Sequence, residues 1–460
     1  MADNLRPLGM SDVIFETLDG NLKRNLGTAD EEISAMLFDI SKCPDLFTKG
    51  YGKENIKNIK EGDVIHIETL TEATELYGIK ARTDVKEGEN EEDINFMYGI
   101  PHYHIRKFFL RRGGEFAEGS LYVMFADCSK NWDAINILQN STGGLAHQMG
   151  IYTEQNLWGN DMDDEGNYSL RIVRELQDKA TQLSTEHQPL VFILNANTAA
   201  LEGLEGEEGK KISLDKIPSC LVKAPQVSIV LGQANTKLVN EMQLANKNHT
   251  PVGCMGDMLG ALSIANVGWS VAYVKEFNLF DPQMMRVELG FGDIQLDTEG
   301  QFTSTNALES IPSRTVNKII KKGYNMLIKY AGAPNGVHFS STGTCDGGDY
   351  RTIEYNRTVQ KARRNMRRVL LPKLNSPILV NRADGTLTAT TVTEFRNLLV
   401  DNVFGKMFAD KELSGYNVYI DAKQRVLETD ELVIESTIVP LASIKQIRVK
   451  ERMSMGAGKE

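Results

Sequence analysis

The residues able to carry catalytic or metal chemistry are few and poorly grouped. His102 and His104 stand two apart, on one side of a strand or on diverging sides of a helix, with no Cys or carboxylate at the local spacing of a tetrahedral metal site. A packing or surface role suits them better. The cysteines Cys43, Cys128, Cys220, Cys254 and Cys345 are odd in number, widely spaced and without a C-x-x-C pair, which reads as reduced, mostly buried thiols. Asp346-Gly347-Gly348-Asp349 sets two carboxylates on a glycine turn but lacks the twelve-residue calcium loop with its closing Glu.

Nucleotide and nucleophile signatures are missing too. Neither G-x-G-x-x-G nor G-x-x-x-x-G-K-S/T occurs, and no G-x-S-x-G elbow supports a serine nucleophile. The segment 227–231 followed by Gly232-Gln233-Ala234 lies where an α/β sheet often puts a ligand, but reads as a structural turn. His147 and His187 would need distant partners. The expectation is therefore no catalytic residue, no metal and no cofactor. The competing reading is an α/β enzyme whose site is assembled from distant residues at strand ends such as Asp127 and Asn195.

Charge is the one concentrated feature. Between Tyr355 and Ala383 there are eight basic residues and no acidic one, within a chain whose formal charge is −11. A helix over 353–369 lines up Val359, Ala362, Met366 and Val369 on one face, and Arg357, Lys361, Arg364 and Arg368 on another. Such a basic face is a solvated surface, a docking site for an acidic protein, or a nucleic-acid element. The last would need stacking aromatics, and only Tyr350 and Tyr355 are near. The acidic total argues against whole-surface binding to nucleic acid or anionic membrane.

The elements that must position these residues follow from periodicity. An extended arm with a short strand over 12–17 opens the chain, and a helix is expected over 31–40 from the spacing of Ile33, Met36, Leu37 and Ile40. A strand over 62–70 runs into a helix over 71–77 that Gly78 ends, and 86–93 is a solvated acidic loop. An α/β pattern then begins: a helix over 94–110 broken at Pro101, strands at 121–126, 190–194, 227–231 and 269–274, helices at 132–139, 142–150, 170–185, 236–246 and 257–267, and a Gly/Glu/Lys loop over 201–211. A helix over 312–331 leads into 332–348, rich in Gly, Ser and Thr, taken as a turn region between domains. After the basic helix come a helix over 392–407 and strands at 416–421, 431–438 and 443–450. No apolar run reaches the roughly 18–20 residues of a bilayer span, and the first residues do not read as a signal peptide, so synthesis in the cytoplasm is expected.

The order of these segments resembles the contractile tail sheath proteins of phage tails, R-type bacteriocins and related injection systems. Residues 68–78 (ETLTEATELYG) are similar to an early family segment. So is Phe108-Phe109-Leu110-Arg111-Arg112-Gly113-Gly114 before an apolar strand, and so are residues 343–357 (GTCDGGDYRTIEYNR) before the basic helix. The closing strands at 415–421, 431–438 and 439–449 resemble the end of the last sheath domain. Residues 255–274 depart from the common phage type and suggest a divergent branch.

The resemblance implies an α/β (α+β) fold: an outer α/β domain with a mixed sheet, and an inner C-terminal α+β domain completed by an N-terminal arm. The expected division is 1–30 arm, 31–95 N-terminal subdomain, 96–335 outer domain, 336–442 inner domain and 443–460 C-terminal strand arm and tail. It implies a structural subunit, not an enzyme, that polymerises helically, six per ring, around an inner tube protein and contracts to drive the tube through an envelope. Val13, Ile14 and Phe15, with Ile444, Ile447 and Val449, would be the strand arms that join copies. Arg357, Lys361, Arg364 and Arg368, or Arg396 and Lys406, would contact the tube. Baseplate and terminator proteins would be further partners, with no nucleic acid and no stable membrane insertion, in a particle assembled in the bacterial cytoplasm.

Overall fold

A computed structural model of the chain describes residues 31–42, 47, 57–81, 99–114, 116–158, 170–196, 217–231, 234–235, 253–279, 286–287, 294–296, 302–304, 313–330, 336–451 and 453. The arm strand at 12–17, the acidic loop at 86–93, the loop at 201–211, the helix at 236–246, and Cys43 lie outside the described residues.

Seven strands form one mixed sheet: β1 (Ser34–Asp39), β2 (Val64–Ile67), β3 (Leu121–Ala126), β4 (Gln148–Tyr152), β5 (Val191–Ala196), β6 (Val227–Leu231) and β7 (Tyr324–Asn325). Their order is β7-β6-β5-β4-β1-β3-β2, parallel throughout except that β2 runs antiparallel to β3. The helix expected over 31–40 is thus the central strand β1. Its apolar run divides by alternation, Met36 and Phe38 entering one core layer and Ala35 and Leu37 the other. A run buried on both faces has no polar side to reveal its period, and its six residues suit a strand. β1 thus lies inside the sheet between β3 and β4, and β2 forms its edge beside β3.

Helices cover both faces. The helices α1 (Leu70–Glu75), α2 (Ile100–Arg112) and α5 (Met255–Ile264) contribute to one layer, and α3 (Ala134–Ser141), α4 (Arg171–Thr185) and α6 (Ser313–Lys321) to the other. Thr69 caps α1 by accepting from the Glu72 backbone N–H. Pro101 sits in the first turn of α2, where its missing N–H costs nothing; residues 94–98 of the helix expected over 94–110 lie outside the described residues. The helix expected over 142–150 is instead a turn at Gly143 and Gly144, at φ 65° and 74°, followed by β4. Residues 269–274 are successive turns rather than a strand, and the helix expected to run to 331 stops with α6 before Gly323 at φ 97° and β7.

The two strands β8 (Leu327–Ile328) and β9 (His338–Phe339) pair antiparallel. Asn325 then clasps Gly343, accepting from its N–H at 2.7 Å and donating to its carbonyl at 2.8 Å. Residues 343–345 of the glycine-rich stretch are therefore woven into the sheet edge, where Cys345 N–H donates to the Val227 carbonyl.

The closest helix crossing depends on two missing side chains. A Cβ at Gly256 would lie 2.2 Å from the His104 carbonyl oxygen, and one at Gly260 2.5 Å from that of Phe108. Four residues apart, these glycines let α5 lie against the backbone of α2, where Arg111 Nε donates to Asp257 Oδ1 at 2.5 Å.

Residues 353–440 build a smaller unit. The long helix α7 (Ile353–Leu370) packs on α8 (Ala389–Leu399), a π-helical turn at Val400–Phe404, and α9 (Gly405–Ala409). After α9 comes β10 (Leu413–Tyr419), then the short α10 (Val426–Thr429) and β11 (Glu435–Pro440), which pairs antiparallel with β10. The helix expected over 392–407 is present with a π-helical turn inside it, and the strand expected over 431–438 begins four residues later. Residues 441–450 form no ladder, so the strand expected at 443–450 is absent from the single chain.

Gly260→Val should lower stability by about 1–3 kcal/mol through overpacking at the crossing. Gly347→Ala, where the nearest atom to the new Cβ is 3.9 Å away, should leave the urea midpoint unchanged.

Candidate functional site

Gly232 and Gln233, in the turn where an α/β sheet often puts a ligand, lie outside the described residues; at the end of β1 the chain supplies its own partners to a carboxylate. Asp39, at the end of β1, accepts from Ser41 N–H and Oγ–H, Cys128 N–H, Thr153 Oγ1–H at 2.6 Å and Gln155 Nε2–H at 2.8 Å. This ties together the ends of β1, β3 and β4 and spends both carboxylate oxygens on structure. Of the two strand-end candidates, Asp127 is exposed and accepts from the Ser129 N–H, whereas Asn195 is buried in β5. His104 packs among Phe38, Tyr103 and Tyr152, and burial pulls its pKa down to about 3, so it stays neutral. Cys128, Cys220, Cys254 and Cys345 are free and buried, and burial pushes the thiols of Cys128, Cys254 and Cys345 up, away from the reactive thiolate. Among the described residues no cluster of three or more His, Cys, Asp or Glu is placed to hold a metal, and no helix is long and apolar enough to cross a membrane.

The basic helix is where the geometry concentrates. Its N-terminal turns are sunk into the body of the chain. Asn356 Nδ2 donates to the carbonyls of Pro225 and Tyr350, both at 2.9 Å, and Thr342 Oγ1 donates to Glu354 Oε2 at 2.7 Å. Farther along, Arg357 donates to the Ala265 carbonyl, Lys361 Nζ lies 2.5 Å from Glu412 Oε1, and Arg364 pairs with Glu31. The Lys361 and Glu412 side chains are only 8% and 2% exposed. One helix row thus binds β1's approach, the turn after α5 and the start of β10.

Electrostatics follow from that burial. Desolvation works against an ionised Glu31, but Arg364, His147, Arg357 and Lys361 outweigh it and bring its pKa down to about 2. Burial raises Glu354 and Glu412, the latter opposed by Lys361, and burial lowers Arg357 against the pull of Glu31. These groups form a mutually neutralising knot rather than an open basic face.

The expected tube-contacting residues therefore separate. Arg357 and Lys361 are interior and Arg364 is mostly covered, which corrects the reading of that row as a docking surface: the first two turns are spent on internal carbonyls and carboxylates. Arg368, Arg396 and Lys406 are exposed. Spacing along the chain had no means of finding Glu31, 333 residues from Arg364, or Glu412. Of the expected arms, Val13, Ile14 and Phe15 lie outside the described residues, while Ile444, Ile447 and Val449 are 80%, 79% and 73% exposed on the ladder-free segment. Beside them, β10 and β11 make a two-stranded sheet.

Lys361→Met should cost about 3–5 kcal/mol by stranding Glu412, and adding Glu412→Leu should recover most of it, as read from urea unfolding. The acid limb has its own test. Ionised Glu31 contributes its full stabilisation above the ordinary carboxylate pKa of about 4.5, and that contribution is lost as the pH falls toward about 2. The stability gap between wild type and Glu31→Gln should shrink across that window. Glu354, whose upward shift acts with opposite sign and owes nothing to Glu31, is common to both chains and drops out of the difference, whereas Glu412, pushed up in part by Glu31, is shifted less in the variant.

Comparison with known proteins adds the following. The family described as DUF2586, C-terminal domain, matches residues 349–457. No curated protein matches the chain. Among solved structures, a chain of the six-fold symmetrised anti-feeding prophage baseplate is similar at TM-score 0.55 and 11% identity, over 97% of this chain and 99% of that one. The anti-feeding prophage helical sheath in its contracted state is similar at 0.54 and 12%, over 97% and 100%. The contracted sheath complex of PVC, an extracellular contractile injection system, gives 0.51 and 12%, over 98% and 99%. Along almost its whole length, this chain has the fold found in contractile injection system sheaths.

Proposed function

We propose that the chain is a structural subunit of a contractile sheath, one that polymerises helically around an inner tube and contracts to drive it outward. The observation that carries the reading is the near-complete two-way coverage between this chain and contracted sheath chains. The ladder-free C-terminal segment with its exposed Ile444, Ile447 and Val449, beside a two-stranded sheet, supports it. An extended segment added to a strand edge is held by main-chain hydrogen bonds, with side-chain pockets needed only for specificity. In this reading residues 443–450 become a strand on a neighbouring copy, and residues 12–17 do the same from the other terminus.

The subunit moves as a rigid body because α7 belongs to both cores. Strain during contraction falls on the terminal arms, which bend while staying paired. The free energy comes from new contacts between copies, so no cofactor or reaction is called for. Tube contact belongs to the exposed Arg368, Arg396 and Lys406, facing an acidic tube protein. The ring holds six subunits, in keeping with the six-fold symmetry of the similar baseplate structure. Baseplate and terminator proteins cap a particle assembled in the bacterial cytoplasm.

Negative-stain electron microscopy of the full chain, beside one lacking residues 1–20 and 443–460, tests this. Tubes or stacked rings from the full chain and monomers from the truncated one are expected. Identical polymers from both would show that the arms do not couple the copies.

A further inference from the structure

Two surfaces of the C-terminal unit are left without a role by the arms and by the tube. The first runs from the outer row of α7 into the loop beyond it. Arg363 and Arg367 are one turn apart and exposed, on a different row from the buried Arg357 and Lys361 and the mostly covered Arg364. Past the helix end, Leu371, Leu374 and Leu379 are 49%, 68% and 71% exposed, and Arg382 is exposed beside them in sequence. Leucines so bare, next to arginines with no acidic residue from 355 to 383, are unusual for a surface that stays in water.

The second surface is its chemical opposite. Residues 427–435 hold no base. Asp430, Glu431 and Glu435 are exposed, Glu428 pairs with Arg425 across one turn, and Leu427 is 73% exposed with Val433 half exposed. The shape of this segment is fixed locally. Gln424 donates to the Val433 carbonyl at 2.8 Å and accepts from its N–H at 2.7 Å, and Asp430 turns the chain at φ 53°.

We propose that these two surfaces bind each other between copies: the Arg363, Arg367 and Arg382 surface with its leucines docks on the Asp430, Glu431 and Glu435 surface of a second copy. Two different complementary patches on one chain make a head-to-tail contact, which generates rings or helices rather than a closed two-fold dimer. Like charge opposes the competing pairings of basic with basic and acidic with acidic, so the charges set the direction of assembly. The leucines supply the desolvated centre that exposed ion pairs by themselves lack. The contact rests on the assembly reading only in requiring that copies meet, and it is separate from the strand arms.

The test reverses each patch in the full chain and then both together. One variant carries Arg363→Glu, Arg367→Glu and Arg382→Glu; the second carries Asp430→Lys, Glu431→Lys and Glu435→Lys; the third carries all six changes. Self-association is followed by sedimentation at low salt, with urea unfolding to check each fold. Each single-patch variant should need at least about ten times more protein to associate, and the six-fold variant should return toward wild type. Salt should weaken wild-type association. Loss with the basic reversal alone, and none with the acidic one, would overturn the contact and assign the arginines to a different acidic partner such as the tube protein. A six-fold variant no better than the worse single patch would also overturn it. A wild-type chain monomeric at every concentration would overturn it while leaving a tube-templated sheath standing, and unchanged tubes from all variants would overturn it while supporting the sheath.

Discussion

Taking an ionised side chain out of water costs several kcal/mol unless a counter-charge is waiting, and the position of α7 depends on meeting that condition three times. Arg364 meets Glu31, Lys361 meets Glu412, and Arg357 is shared between the Ala265 carbonyl and the field of Glu31 and Glu412. Any displacement of the helix by one turn would strand these groups in a low-dielectric interior. The same helix presents Ala362, Met366 and Val369 to the core formed by α8, α9 and β10. Ionic contacts on one side and apolar contacts on the other therefore lock the C-terminal unit to the sheet. That rigidity is what lets a proposed lattice subunit transmit force without dissipating it inside the chain.

The ends of the central strands are tied by the chain's own polar groups. In many such folds the strand ends open a crevice to ligands. In this chain Asp39 draws five donors from three segments into that position, and Thr153, buried behind it, completes the closure. On the other face, Gly256 and Gly260 bring α5 down to the backbone of α2. Both devices convert a binding architecture into packed scaffold. The C-terminal unit and the segment after it carry the bare apolar residues Leu374, Leu379, Leu427, Ile444, Ile447 and Val449. A monomer gains nothing from such residues in water; the polymer proposed above would cover them.

Much of the architecture was legible in the sequence, and the misreadings share a cause. Strands β3, β5 and β6 and helices α4, α5 and α7 follow from their apolar runs and periods. The segment 31–40 was misread because burial on both faces erases the polar alternation that marks a strand. The segments 142–150 and 312–331 were extended as helices past Gly143, Gly144 and Gly323, whose positive φ turns the chain into strands. The glycine-rich stretch at 332–348 looked like a linker because its partner, Asn325, makes itself known only through hydrogen bonds.

For the candidate site the division is sharper. The sequence by itself determined that α7 would be an amphipathic basic helix, that no compact catalytic or metal motif was at hand, and that the order of segments resembles contractile sheaths. Those properties depend on neighbours within a few residues, or on order along the chain. Only the tertiary structure decided which arginines face water. Arg357, Lys361 and Arg364 share a row with Arg368, yet the first three are turned inward to Ala265, Glu412 and Glu31, while Arg363 and Arg367 on another row stay outside. Helical periodicity defines faces but not what lies against them, and a counter-charge 333 residues away becomes a neighbour only when the chain has folded.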